Sequence, residues 1–301
     1  MKYKLYAAVL APCTEDGFEI NPSIIPQYAA FLKRNGVTGV FVNGMAGEGQ
    51  SLSVNERIQV QAAWLHPQIK SLFDEVIISI AANSLDDILK LGKHAVNNNV
   101  SAISLMPPSY TPIQPTTVDD LVNYCATITN HFPETPFLYY HSSSCLSPQI
   151  FRCGSEISAA MSKRIPTFVA IKYTHYFLDD CLMCEVQSNG KYEVFFGTDE
   201  LILASFASGI HQWIGSLLKS FAAGDLESAQ EMNKKFVQLL QSLHAKFGST
   251  KCSKALTNIA LKSAGISLGG LRRPNIDLSA EEEQIMLKLI DLLDFNKEFN
   301  S

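Results

Sequence analysis

The sequence lacks long apolar runs and extended blocks of like charge. No apolar stretch approaches the roughly 18 residues that a membrane-spanning helix needs, and the longest run of one charge is Glu281-Glu282-Glu283. The net charge of the 301 residues is -5, which gives no indication of a nucleic-acid surface. The apolar run at residues 5–11 is short for a signal peptide and favours a first strand. We expect a soluble globular protein without a membrane or nucleic-acid partner.

Patterns typical of metal, phosphate and disulfide sites are also scarce. The seven cysteines are odd in number and scattered, which favours reduced thiols and a cytoplasmic location. Cys181 and Cys184 form a C-x-x-C pair in a helical pattern, but no second pair accompanies it, so structural cysteines are favoured over a metal or redox site. The histidines show no ligand spacing, and the glycine-rich residues 44–49 lack the Gly-Lys-Ser/Thr ending of a phosphate loop. We expect no metal site.

The sequence does contain a regular alternation of short apolar runs with helical patterns. Continuous apolar runs of this length are typical of strands buried on both faces, and their spacing of roughly 20 to 40 residues fits one strand-plus-helix unit. Eight such units favour an α/β fold of the (β/α)₈ TIM barrel type over an open sheet. The predicted strands are residues 5–11, 39–43, 76–81, 102–106, 137–141, 168–173, 192–197 and 212–216.

Helix signals divide the rest of the chain. Ser53-Val54-Asn55-Glu56 is a capping box, and Ser147-Pro148, a cap residue followed by proline, predicts another helix start. After the eighth strand, residues 226–243, 251–264 and 280–293 are predicted to be helical, with Ser279 as the cap of the last helix. We expect residues 1–220 to form a barrel that carries the active site and residues 221–301 to form a helical C-terminal extension packed on it.

Lys172 directly follows four apolar residues, Phe168-Val169-Ala170-Ile171. Lysine is rarely buried without a functional reason. Burial disfavours the ammonium and lowers its pKa, which makes the amine a nucleophile toward carbonyl groups. On this stretch alone, a lysine that extends to solvent from a strand end is an equally good interpretation.

The C-terminal ends of the strands build the active site in barrels of this type. The glycine-rich turn around Met45 and Ala46 exposes backbone N–H groups that could hold an anion, although an ordinary strand-to-helix turn explains it as well. Tyr140 could relay protons beside an amine, but a tyrosine at a strand end is more often structural. Asp199 and Glu200 could bind hydroxyl groups or could begin the following helix as acidic cap residues.

Taken together, these motifs resemble the dihydrodipicolinate synthase/N-acetylneuraminate lyase family of class I (Schiff-base) aldolases. The likeness extends from Ala8 to about Asp294 and is greatest to the animal lyase branch. The matching segments are Phe41-Val42-Asn43-Gly44, Gly47-Glu48-Gly49, Ser51-Leu52-Ser53-Val54 with Glu56-Arg57, Tyr139-Tyr140-His141, Ile165-Pro166-Thr167-Phe168 leading to Lys172, Phe196-Gly197 with Asp199-Glu200, and Arg273-Pro274.

The resemblance implies a chemistry and a set of site residues. Lys172 would form a Schiff base with the C2 ketone of a 2-oxo acid, and Tyr140 would relay a proton to the C4 hydroxyl. The imine would act as the electron sink, so no cofactor is implied. A homotetramer is implied as well. The positions that match sugar-hydroxyl contacts in the lyases are Thr174, Gly197, Asp199, Glu200 and Ser216.

The chain also departs from the family pattern within the site. Met45 and Ala46 stand where the family has two hydroxyl residues that bind the substrate carboxylate, so two side-chain hydrogen bonds are lost. Each is worth on the order of 1.5–3 kcal/mol, and their loss weakens carboxylate binding roughly a hundredfold or more. Ser142 begins a Ser-Ser-Ser segment where the lyases have an Ile-Pro-Ala-type turn, and His175 replaces an acidic or small polar residue. Cys145 stands where the synthases have an arginine.

Three interpretations follow. The first is an aldolase that cleaves N-acetylneuraminate to N-acetylmannosamine and pyruvate with an adjusted site, and the sequence favours it. The second is the same scaffold acting on another 2-oxo acid or carbonyl compound. The third is a non-catalytic sugar-acid-binding protein that retains the lysine.

Overall fold

The computed structural model describes residues 4–108, 115–142, 145–210, 212–215, 226–262 and 264–292. Its centre is a closed barrel of eight parallel strands, in which each strand pairs with its neighbours in sequence and β8 returns to β1. The strands are β1 Lys4–Ala8, β2 Gly39–Val42, β3 Glu75–Ser79, β4 Ala102–Leu105, β5 Phe137–Ser142, β6 Phe168–Thr174, β7 Glu193–Phe196 and β8 Gln212–Gly215. The predicted TIM barrel is therefore confirmed.

Helices follow the strands and enclose the barrel. They are α1 Ile25–Arg34, α2 Val54–Leu65, α3 Pro67–Lys70, α4 Leu85–Asn97, α5 Val118–Thr129, α6 Gly154–Arg164, α7 Leu178–Ser188, α8 Ile202–Ala207, α9 Leu226–Phe247, α10 Ser249–Lys262 and α11 Ala280–Leu292. Short 3₁₀ turns at Pro22–Ile24 and Asp199–Leu201 precede α1 and α8. None of the helices in the described part of the chain has both the length and the apolar character that a membrane crossing requires.

Most of the predicted strand and helix boundaries lie within a few residues of those in the structure, and two of the differences have a physical reason. Ser53 forms the predicted capping box of α2, whereas Ser147-Pro148 does not begin a helix. The helix begins at Gly154 instead, because the Asp180 carboxylate accepts hydrogen bonds from the backbone N–H groups of Gly154 and Ser155 at 2.8 and 3.0 Å. β5 and β6 are each one residue longer than predicted because Ser142 pairs with Thr174.

Strand residues alternate between two apolar layers, as the period of two requires. One layer packs between the barrel and its helices and contains Tyr139, Ile171 and Tyr173. The other fills the barrel interior and contains Tyr6, Phe41, Leu138, Tyr140 and Phe195. Lys172 is paired with Tyr140 on one side and Phe195 on the other, so it lies in the interior layer. The strands therefore place the lysine inside the barrel rather than at its surface.

The C-terminal helices are tied to the barrel through a buried ion pair. The Glu48 carboxylate lies 3.2 Å from Lys254 Nζ on α10, and both side chains are almost fully buried. Glu48 also accepts hydrogen bonds from the backbone N–H of Arg272 and from Asn275 Nδ2, while Lys254 donates to the carbonyl of Ala11. Since Glu48 belongs to the turn after β2, the C-terminal region fixes the position of that turn.

We predict that Lys254→Met strongly destabilises the protein, because it keeps the apolar stem but leaves the Glu48 carboxylate buried without its cation. Breaking one side of a buried pair costs about 3–5 kcal/mol, measurable as a lower free energy of unfolding in denaturant titrations. The control is Lys90→Met, which breaks an exposed ion pair with Asp86 on α4 and should leave the free energy of unfolding nearly unchanged. Equal effects of the two substitutions would contradict the prediction.

Candidate active site

Lys172 lies inside the barrel near the C-terminal ends of the strands, and its side chain is 4% exposed. Its Nζ atom is 4.1 Å from the centroid of the Tyr140 ring and 4.5 Å from that of the Phe41 ring. The two rings meet edge to face with centroids 5.7 Å apart. The amine is therefore held against two aromatic surfaces in a site that admits little water.

This environment changes the protonation of the amine. Burial lowers the pKa of Lys172 to about 7, and the negative charge of Asp199 works in the opposite direction. The faces of the two rings also attract an ammonium, so desolvation outweighs both effects. At neutral pH a substantial fraction of the amine is uncharged and can attack a carbonyl carbon, whereas an ordinary lysine is almost fully protonated.

Tyr140 is the second ionisable group of this layer. Burial raises its pKa to about 12, and the neighbouring Thr174 hydroxyl works against this rise. The phenol is therefore protonated near neutral pH and acts as a donor. Thr174 Oγ1 is itself buried and has no hydrogen bond of good geometry among the described residues. Both hydroxyl groups are thus available to a bound molecule above the amine.

Met45 projects from the turn after β2 toward these hydroxyl groups. Its sulfur accepts hydrogen bonds from the Tyr140 hydroxyl and from Ser142 Oγ, each at 3.6 Å. The Met45 side chain is nevertheless 45% exposed, so it forms part of the wall at the mouth of the site. A thioether is a weak acceptor and no donor, and for this reason it holds the phenol loosely and offers nothing to a substrate carboxylate.

The backbone of the same turn is sharply folded. Asn43 has a φ of 58°, and a Cβ atom at Gly49 would approach the Asn43 carbonyl oxygen to 2.2 Å. Among the described residues, none accepts a hydrogen bond from the backbone N–H groups of Met45, Ala46 or Gly47. Consecutive free N–H groups form a concave site for an anion, so the turn keeps backbone donors although its side-chain hydroxyl groups are absent.

The turn after β7 supplies the remaining predicted residues. Gly197 is fixed by a hydrogen bond from its N–H to the carbonyl of Tyr173, and Asp199 and Glu200 begin the 3₁₀ turn that follows. Both carboxylates are half-buried. Asp199 raises the pKa of both Lys172 and Tyr140, which shows that its charge reaches the amine. Ser216 lies outside the described residues.

Phe41 and Ser142 belong to the site but are missing from the sequence-based set. Phe41 packs under the Lys172 amine, and Ser142 is a buried hydroxyl directly beside Met45. The signal that could have found them is the strand period, because Ser142 follows Tyr140 by two residues and therefore faces the same side. In the part of the chain that the structure describes, no group of three or more His, Cys, Asp or Glu side chains is arranged to hold a metal ion.

These groups together can carry out carbonyl chemistry through a lysine. The uncharged amine can add to a ketone, and the phenol can move a proton beside it. The aromatic and apolar surroundings exclude water from the resulting imine, while the carboxylates of the next turn face the mouth of the barrel.

Comparison with known proteins places this arrangement in a family. A model of the dihydrodipicolinate synthetase family matches residues 2–292. The N-acetylneuraminate lyase of Pongo abelii is 33% identical over 310 residues, which cover 97% of this chain and 93% of the relative. The solved structure of Proteus mirabilis N-acetylneuraminate lyase has a TM-score of 0.85 at 30% identity and covers 98% of this chain and 99% of its own.

More distant structures share the architecture. The structure of KD(P)GA from T. tenax has a TM-score of 0.81 at 21% identity and covers 97% of this chain and 99% of its own, which shows a common fold alone. The family match, the identity to the lyases over nearly the whole chain and the buried lysine inside the barrel all agree. The chain belongs to the dihydrodipicolinate synthetase family, whose members are class I aldolases that act through a lysine Schiff base.

Proposed function

We propose that the protein cleaves N-acetylneuraminate to N-acetylmannosamine and pyruvate. The observation that carries the proposal is the buried amine of Lys172 inside the barrel, 4.1 Å from the centroid of the Tyr140 ring. The relatives that share about 30% identity over nearly the whole chain are N-acetylneuraminate lyases, and this supports the choice of substrate.

The reaction uses the chain's own groups. Lys172 Nζ adds to the C2 ketone and water leaves, which gives a protonated imine. The C3–C4 bond then breaks, its electrons pass into the imine, and the C4 hydroxyl proton passes to the substrate carboxylate. The phenol of Tyr140 gives its own proton to C3 of the enamine and takes this one in exchange. The aldehyde sugar departs, the enamine takes a proton at C3, and water releases pyruvate from the lysine. The imine serves as the electron sink throughout.

Binding of the carboxylate depends on the turn after β2. Its free backbone N–H groups can donate hydrogen bonds to the carboxylate, but Met45 and Ala46 add no side-chain donor. Ser142, on the opposite side of Met45, supplies a hydroxyl to the same region. We propose that carboxylate binding relies on the backbone and is weaker than a turn with two hydroxyl side chains would allow.

A second candidate is an aldolase for another 2-oxo acid or carbonyl compound, and the thioether of Met45 favours it. A site that presents sulfur beside the reacting ketone tolerates a less polar neighbouring group. A substrate with a second carboxylate is disfavoured, because Cys145 stands where the synthases of the family have an arginine.

Trapping with borohydride tests the proposal directly. Incubation with pyruvate and sodium borohydride should reduce the imine and leave a stable adduct on Lys172, located by peptide mass spectrometry. Lys172→Met should give no adduct. Tyr140→Phe should still form one but should lose cleavage of N-acetylneuraminate by roughly 10²–10⁴-fold, the usual contribution of a positioned proton donor. An adduct with another carbonyl compound and none with pyruvate would favour the second candidate instead.

The lowered pKa of Lys172 predicts a pH dependence of stability. The ordinary pKa of lysine is 10.5, and the folded value is about 7, so the unfolded chain binds more protons between these pH values. Stability should therefore rise with pH in this window, by up to about 1.4 kcal/mol per unit. In denaturant titrations, Lys172→Met should be more stable than the wild type at pH 7, and the difference should shrink toward pH 10. A constant difference would refute a buried, uncharged amine.

The role of Met45 is tested by restoring a hydroxyl. Met45→Thr should lower the pyruvate concentration that gives half-maximal trapping by about tenfold, because one hydrogen bond to a charged group is worth about 1.5–3 kcal/mol. Met45→Leu is the matched control, since it removes the sulfur without adding a donor. If the two variants trap pyruvate equally well, the carboxylate does not bind at this turn.

A further inference from the structure

An aromatic segment, His175-Tyr176-Phe177, follows β6 at the rim of the barrel mouth. It begins directly after Thr174, whose hydroxyl lies beside Tyr140. The Cα atom of Tyr176 is four residues from that of Lys172, so it lies at most about 14 Å from it. A substrate that extends outward from the amine would meet this segment.

The segment is held firmly from behind. The His175 and Phe177 rings stack with centroids 4.1 Å apart and planes 13° from parallel, and the Arg152 guanidinium covers Phe177 at 4.2 Å. The His175 carbonyl accepts a hydrogen bond from Thr198 Oγ1 at 3.1 Å, which ties the segment to the turn after β7. These contacts fix the backbone on both sides of Tyr176.

Tyr176 itself stands apart from this stack. Its side chain is 65% exposed, and its hydroxyl donates to Glu200 Oε1 at 3.4 Å. An exposed tyrosine alone would need no explanation. Here the hydroxyl engages a carboxylate of the turn that also contains Asp199, whose charge reaches Lys172. The ring therefore bridges the rims after β6 and β7 and leaves much of its surface to solvent.

We infer that Tyr176 is a specificity-determining residue for the sugar portion of the substrate, at the outer edge of the subsite that the family resemblance assigns to Glu200. This inference rests on the proposed function. An aromatic ring covers the apolar C–H face of a sugar, and the neighbouring carboxylate accepts hydrogen bonds from its hydroxyl groups. The hydrogen bond from Tyr176 to Glu200 restricts the ring before binding, so less side-chain freedom is lost when the sugar arrives.

A position at the rim separates the role of Tyr176 from that of the inner groups. Pyruvate has three carbons, and when it is joined to Lys172 it is too short to contact Tyr176 at the rim. A nine-carbon sugar acid extends past Thr174 and reaches it. The subsite should therefore affect the affinity for the sugar acid much more than the formation of the pyruvate imine.

The test measures binding without turnover. In the Lys172→Met background, the dissociation constant of N-acetylneuraminate is measured by titration calorimetry with and without Tyr176→Ala, and we expect it to rise about five- to tenfold. Tyr176→Phe keeps the ring face and should stay within about twofold of its parent. Val186→Ala removes another exposed apolar side chain, on α7, and is the matched control that should have no effect.

Borohydride trapping of pyruvate on Lys172-containing enzyme separates the two proposals. Trapping in the wild type with a selective loss of N-acetylneuraminate affinity in Tyr176→Ala supports both. Equal affinity with and without Tyr176→Ala, or no measurable N-acetylneuraminate binding to Lys172→Met, overturns the subsite whatever the trapping shows. Absence of a pyruvate adduct in the wild type overturns the proposed reaction, while the calorimetric comparison still decides the subsite.

Discussion

The desolvation of one amine is the constraint on which the site depends. Lys172 lies in a layer of the barrel interior that is otherwise aromatic and apolar, and a charged ammonium is unfavourable there. The protein could have removed this cost with a close carboxylate, as it does for Lys254 and Glu48. The charge of Asp199 opposes the shift but does not cancel it, so a substantial fraction of the amine is uncharged near neutral pH. The two buried lysines therefore differ: Lys254 forms an ion pair that fixes structure, whereas Lys172 has no ion pair among the described residues and its pKa is lowered.

The ion pair between Lys254 and Glu48 also affects the site around Lys172. Glu48 joins Lys254, Arg272 and Asn275 to the turn after β2, and the same turn carries Met45 to the mouth of the site. Its conformation requires a left-handed residue at Asn43 and close backbone approach at Gly49. Such a turn is strained in isolation, and the buried contacts with the C-terminal region hold it in place. The extension after the barrel therefore helps to fix the turn that carries Met45, although it places no described side chain beside Lys172.

The barrel could be predicted from the sequence because it follows from the regular spacing of apolar runs. The apolar run before Lys172 left a solvent-facing lysine equally possible, and the resemblance to the aldolase family decided between the two. Within β5, the period of two places Ser142 on the same face as Tyr140. The direction of Met45 could not be predicted, since the left-handed Asn43 breaks the strand period just before it. The contact of Glu48 with Lys254 joins residues 206 positions apart, and no local pattern indicates it. The false helix start at Ser147 has a similar origin, because the cap that the helix uses, Asp180, comes from the following helix.

The hydroxyl groups that are absent from the turn after β2 have a counterpart on strand β5. The turn after β2 has a thioether where a hydroxyl would help to bind a carboxylate, but a hydroxyl is present on β5 at Ser142, and the two side chains are in contact. Thr174 pairs with Ser142 across β5 and β6, so two hydroxyl groups stand one layer above the Tyr140 and Lys172 pair. Polar groups therefore reach the region above Lys172 from β5 and β6 as well as from the backbone of the turn. Because none of them is the amine or the phenol, substitutions among them can change what binds while the lysine chemistry stays the same, since function is set by the groups of the site and not by the fold.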